Sequence, residues 1–289
     1  MSPEDARSDF ILAAAAVMFG RLVLRLLFQV LPLPDGLVAA TLIDAVALFA
    51  VTGLVPLLLL RYRKQGPSGY GLEGPAASAS PGLLLALPFF AVWVISAWAA
   101  HESTAVTFAG RLAPQPDVVL TVVSYIHRFA EFAGLLLLFG FLIVRARDGF
   151  RRNDVRQLEA LRSYGIAAAA IALVLGLLLM LAPDQPNRWN FVLQVAGLVA
   201  LVLLADRFVE TKATTTRATV LAPAFVALLA RWDIFGGNFL LSLYIAVLAA
   251  GAVIVMAVLV ETRTRSWTIV PMLAASVIWF ALFSPGVIV

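Results

Sequence analysis

An all-α bundle of membrane-spanning helices is the fold class this sequence predicts, and three observations carry it. Apolar residues make up 62% of the 289 residues and charged residues only 13%, against roughly 45–50% and about 25% in soluble domains. Mean hydropathy is +0.97. The apolar residues also fall in runs near the ~20 that a helix needs to cross a hydrocarbon core about 30 Å thick. Residues 1–289 are therefore expected to form a single transmembrane domain of eight or nine spans with short loops.

The elements follow from where charge or Pro/Gly clusters interrupt the apolar runs. The first span, Phe10 to Leu31, comes after the acidic opening MSPEDARSDF. No clean small-residue cleavage site follows it, so it reads as a retained helix and not a removed signal peptide. The second span, Gly36 to Leu60, leaves the tight turn PLPDG, which makes it an antiparallel neighbour of the first. Further spans run from Gly82 to Ala100, Val118 to Val144, Gly165 to Leu181 and Trp189 to Ala205. The seventh, Ala218 to Ala230, is short and holds Pro223, so it either crosses tilted or re-enters. Asn238 to Val260 and Trp267 to Val287 complete the series.

Between the fourth and fifth spans, GFRRNDVRQLEALRSYG places Phe150, Val155, Leu158 and Leu161 at mostly three-residue spacing with arginines between them. This pattern predicts an amphipathic interfacial helix over 149–164, with Arg151, Arg152 and Arg156 facing anionic lipid headgroups.

Charge sets the expected orientation. With the N-terminus in the cytoplasm, Arg7, Arg61, Arg63, Lys64, the arginines from Arg145 to Arg162, Arg207, Lys212, Arg217, Arg263 and Arg265 all lie inside. The outside receives only Arg111, Arg188 and Arg231. That is the asymmetry the positive-inside rule requires, and it holds if all nine segments cross. Basic residues are almost all arginine, with Lys64 and Lys212 the only lysines. The composition points to a bacterial plasma (inner) membrane.

Three spans carry ionisable groups where lipid cannot satisfy them. Counting inward from the outer ends, Arg21, Arg25, Asp44, His127, Arg128 and Glu131 fall in one layer roughly 10–20 Å deep at 1.5 Å per residue. Arg25 is expected to meet Asp44, and Glu131 to accept from His127 or Arg128 along its own helix. A charge at such depth costs at least about 2.5–3.5 kcal/mol unless paired. The layer is therefore either glue between helices one, two and four or a site for a ligand or partner. Its formal excess of positive charge would suit an anion.

Several chemistries are excluded or disfavoured. The chain has no cysteine, so disulfides, thiolate nucleophiles and cysteine-ligated metals are ruled out. His127 and Glu131 have the spacing of two metal ligands, but zinc takes three or four, and His101, the other histidine, lies in an external loop. No metal, cofactor or nucleic acid is expected. G-x-S-x-G, H-E-x-x-H and Walker motifs are absent.

The stretch from Ala227 to Phe280, with TRTRSWTIVP from Thr262 to Pro271 at its turn, resembles the C-terminal core of the CPBP family. These are the CAAX-protease and bacteriocin-processing intramembrane enzymes. RYRKQGPSGYGL, Arg61 to Leu72, is similar to a basic segment upstream in that family. The resemblance implies a metal-dependent protease core. However, the family's histidines would fall near Leu229 to Arg231 and at Ala275, and its asparagine at Trp279, and its paired glutamates have no counterpart. Metal-activated water needs its ligands, so the resemblance implies a degenerate relative without protease activity.

The leading expectation is a non-enzymatic membrane subunit or scaffold that binds lipids and other membrane proteins. A transporter or lipid-binding protein that holds an anionic group in the arginine layer is the alternative. An intramembrane hydrolase using Glu131 and His127 comes third.

Overall fold

The computed structural model describes residues 1–30, 37–66, 69, 83–88, 91, 118–150, 154–181, 189–209, 211–231 and 239–260. Among these residues the chain is helical apart from two three-residue strands and the turns. α1 spans Pro3–Val30, α2 Leu37–Phe49, a π-helical turn Ala50–Leu54 and α3 Val55–Tyr62. α4 spans Val118–Gly149, α5 Gln157–Met180, α6 Trp189–Ala205, α7 Arg217–Arg231 and α8 Phe239–Val260.

Among the described residues five stretches are long and apolar enough to cross a membrane: Val38–Tyr62, Phe129–Gly149, Gln157–Met180, Phe191–Phe208 and Phe239–Val260. They mark the chain as a membrane protein. The first expected span overlaps α1 from Phe10 to Val30, and the short seventh lies within α7, which carries Pro223 inside it. Most of the third expected span and all of the ninth lie outside the described residues. Large apolar side chains cover the outer faces, among them Phe19 and Leu26 on α1, Val46 on α2, and Ile171 and Val174 on α5. A surface of this kind suits hydrocarbon and not water.

The second span is a single run with a fault in it. Pro56 has no N–H to give and its ring clashes with the carbonyl four residues back. Directly before α3 the helix widens into the π turn, and the Thr52 hydroxyl donates to the Leu48 carbonyl at 2.7 Å. Lys64, with φ 53°, then ends α3 and turns the chain, so that the Gln65 N–H donates back to the Leu60 carbonyl.

The helices form two packed groups. α1, the α2–α3 run and α4 pack together, and α5, α6, α7 and α8 form the second group, with α4 also touching α7 and α8. α8 is the most enclosed element, buried from Tyr244 through Val260 at thirteen positions. Glycines allow its close contacts. A Cβ on Gly251 would lie 2.7 Å from Leu198 Cδ2 on α6 and 3.3 Å from the Ala168 Cβ on α5.

The expected separate interfacial helix over 149–164 is not what forms. α4 continues to Gly149, and Asp154–Arg156 is a strand, β1, paired antiparallel with β2, Thr214–Thr216. α5 then starts at Gln157 and runs on into the fifth span. The ribbon explains the difference. Arg156 takes an extended backbone and the Gln157 N–H donates to the Ala213 carbonyl, which gives the connection a hydrogen-bonded partner outside any helix. The three-residue apolar spacing is divided between the buried centre of the strand, Val155, and the first turns of α5, where Leu161 is buried. Thr216 caps α7, its hydroxyl accepting from the Thr219 N–H at 3.3 Å.

Candidate functional site

Asp44 and His127 meet across the α2–α4 contact, with Nε2 and Oδ2 2.6 Å apart. The carboxylate oxygen accepts, so the imidazole carries a proton on Nε2. The two side chains differ in setting: His127 is 6% exposed and Asp44 44%. The His127 Nδ1 is buried with no hydrogen-bond partner. Glu131 lies one turn further along α4 and is also buried.

The expected layer therefore forms in part, with different pairings. Asp44 is met by His127, whose Nε2 reaches across to α2. Arg21 donates through Nη1 to the carbonyl of Ala230, next to the last residue of α7. A guanidinium at a helix C-terminus satisfies an otherwise orphaned carbonyl and complements the negative end of the helix dipole. Arg25 and Arg128 lie on α1 and α4, but their side chains are outside the described residues, as are Arg151 and Arg152. Arg156 stands exposed on the ribbon, opposite Thr214.

A second polar cluster, which sequence reasoning did not anticipate, sits at the opposite end of the same group of helices. Asp9 of α1 is buried between two guanidiniums. Arg63 Nη2 donates to Oδ1 at 3.0 Å, and Arg145 Nε lies 3.2 Å from Oδ2. Arg145 is fully buried, donates through Nη2 to Gln65 Oε1 at 2.6 Å and stacks over the Phe141 ring. Arg63 also pairs with Asp5 at 3.2 Å. Arg7 donates to the Gly149 carbonyl at 2.6 Å, and Phe10 meets Phe150 edge to face. The N-terminal turns of α1 are thus docked onto the ends of α3 and α4.

The electrostatics of this end follow from the pairing. The Arg63 guanidinium is held above its ordinary value, first by its hydrogen bond to Asp9 and then by the attraction of Asp9 and Asp5. Asp5 is held below the usual carboxylate range, first by the Ser2 hydroxyl and then by Arg63. A sequence signal for the cluster existed. The acids ahead of span one and the basic RYRKQ after span two fall at the same end of antiparallel neighbours.

The two clusters lie far apart. Arg145 and His127 are eighteen positions apart on one helix, about 27 Å at 1.5 Å per residue. The Asp44–His127 pair can exchange a proton or bind a polar group beside it. Among the described residues no three His, Asp or Glu gather as metal ligands. The stretch carrying the CPBP resemblance includes parts of α7 and α8, while residues 232–238 and 261–280 of it lie outside the described residues. The sequence matches no protein-family profile, and neither a curated protein nor a solved structure aligns with it.

Proposed function

We propose that this chain is a non-enzymatic subunit or scaffold of a bacterial inner membrane, with eight or nine spans and a cytoplasmic N-terminus, that binds other membrane proteins and lipids. One observation carries the non-enzymatic part. Several charges within the bundle are met by partners in the chain: Asp44 by His127, Asp9 by Arg63 and Arg145, and Arg21 by the Ala230 carbonyl. Side chains held this way link helices and are poorly placed to act on a substrate. The CPBP resemblance, lacking the family's ligands, agrees with a degenerate relative. The orientation is supported by the gathering of Arg7, Arg63, Arg145, Arg156 and Arg207 at one end of the bundle.

The test is extraction of the chain from its native membrane into lipid nanodiscs without prior detergent. Particles holding this chain with a second protein at fixed stoichiometry are the expected result. Particles holding the chain alone would end the scaffold reading.

A transporter or lipid-binding protein is the second reading, favoured by the π turn in the span that carries Asp44. π turns occur often at functional sites, and interrupted helices accompany midplane binding sites in transporters. Replacing His127 with Asn should then abolish uptake or lipid binding in a chain that still elutes as a folded species, and unchanged activity would remove this reading.

A further inference from the structure

We propose that Asp9, Arg63 and Arg145 form a charge clamp, the closed position of a gate at the end of the bundle where α1, α3 and α4 meet. Opening it would admit water to the interior beside the π turn. This inference concerns conformation and rests on neither functional reading above.

The first support is the geometry of the clamp. Its three members sit on or directly after three separate helices, α1, α3 and α4, and meet at one buried carboxylate. The second is that the cluster is imperfectly satisfied. Arg145 Nε and Asp9 Oδ2 lie within ion-pair distance without forming an aligned hydrogen bond, and Arg63 Nε has no hydrogen-bond partner either. Buried ion pairs of this quality barely offset the cost of desolvation, and well-packed apolar replacements are often as stable or more so. An apolar seam has one good state, which is closed. Charged groups at the rim of a membrane bundle have two, because water solvates them fully once they part.

The third support is a pivot between the clamp and the Asp44–His127 pair. Gly134 of α4 packs directly on the π turn, where an added Cβ would collide with Thr52 Oγ1. Gly134 is eleven positions from Arg145 and seven from His127 on the same helix, about 16 Å and 10 Å. A rocking of α4 at this contact would move its two ends in opposite directions. The Thr52 hydroxyl donates to the Leu48 carbonyl within the widened turn, and single π turns of this kind recur at functional sites.

The native chain contains no cysteine, so a single introduced thiol is read without background. Thr52→Cys places one in the buried π turn, and Glu159→Cys, in an exposed first turn of α5 at the clamp end, reports which side of the vesicle carries the clamp. The full-length chain is reconstituted in lipid vesicles and treated from either side with a membrane-impermeant maleimide, which reacts with a hydrated thiolate. Asp9→Asn should raise the labelling rate of Thr52→Cys at least tenfold from the clamp side and leave the rate from the other side unchanged. Arg63→Gln, at the less buried member, should give a smaller increase from the same side. Unchanged labelling in a folded Asp9→Asn chain overturns the proposal. So does an equal increase from both sides, which would show general loosening. Failure of both variants to fold also overturns it, since the cluster would then be a structural requirement and not a gate.

Discussion

Where α1, the α2–α3 run and α4 meet, the contacts are made by Asp9, Arg145, Asp44 and His127. Where α5, α6 and α8 meet, they are made by Gly165, Gly176 and Gly251. Both answer the same difficulty. Lipid tails are as apolar as leucine, so helices in a membrane gain little from burying apolar surface against each other. They associate through close backbone approach or through polar links. The second group takes the first route: a Cβ on Gly165 would lie 2.7 Å from Val202, and one on Gly176 3.3 Å from both Phe191 and Tyr244. A buried polar link among its described residues is the Tyr244 hydroxyl donating to the Phe191 carbonyl at 2.8 Å. The first group also has close approaches, at Gly20 against Val51 and Gly134 against Thr52, but it adds the second route, and those polar links depend on protonation and water in a way that van der Waals contact does not. The polar group is thus the half of the molecule suited to change state, and the glycine-packed group the half suited to stay fixed.

The sharpest way to break this comparison is Arg145→Leu. Removing Arg145 leaves the buried Asp9 with Arg63 as its remaining partner and takes the donor from Gln65, so the expected loss lies below the roughly 3–5 kcal/mol of a fully orphaned buried charge, at about 2–3 kcal/mol, read as a shift in the detergent unfolding midpoint. The double replacement of Asp9 and Arg145 by leucine should recover most of that loss, because no buried charge remains unpaired. A double variant no better than the single one would show that the polar group is needed for stability and not for switching.

Gly251→Leu tests the other half. The new side chain meets Leu198 and Ala168 with no room to relax, and overpacking of this kind costs about 1–3 kcal/mol. No compensating second substitution of the charged sort exists there. Tyr244→Phe keeps the ring contact with Phe191 and removes only the hydrogen bond, for an expected loss of about 1 kcal/mol. If it cost as much as Arg145→Leu, the contrast between the groups would fail.

The smallest effect is pH-dependent. Asp5 is held below its ordinary value by Ser2 and Arg63. A carboxyl depressed by folding adds stability above its unfolded value, near pH 4, and that stability is lost as pH falls through the folded value. Amide protection factors over residues 3–10, taken against the intrinsic exchange rate at each pH, should therefore fall below about pH 4, and Asp5→Asn should flatten that part of the profile. An unchanged profile in Asp5→Asn would show that the docking of α1 does not depend on this carboxyl.

Much of this was legible in sequence. The apolar runs placed α1, α2–α3, α4, α5, α6, α7 and α8 close to where they form, because the membrane requires ~20 consecutive apolar residues and tolerates no unpaired backbone. Pro223 was visible as a fault in the seventh span, whereas the π turn ahead of Pro56 was not. Depth counting put Asp44 and His127 at nearly the same level, and these two side chains do meet, since rise per residue is fixed along a helix.

Helix rotation was not legible, and rotation decides partners. Residues at one depth on three helices can pair in several ways, so nothing local told that His127 would reach across to Asp44 while Arg21 turned to the end of α7. The clamp was missed for the same reason. Asp9, Arg63 and Arg145 are 54 and 82 positions apart along the chain, and only the packing of three helix ends brings them together. The short ribbon that replaced the expected interfacial helix likewise depends on Thr214–Thr216 arriving from another connection. The sequence by itself determined the solvent, the helices and their depths, because these follow from local composition and helix geometry. The tertiary structure alone decided which charges face each other, because that choice depends on how each helix turns about its axis when it packs.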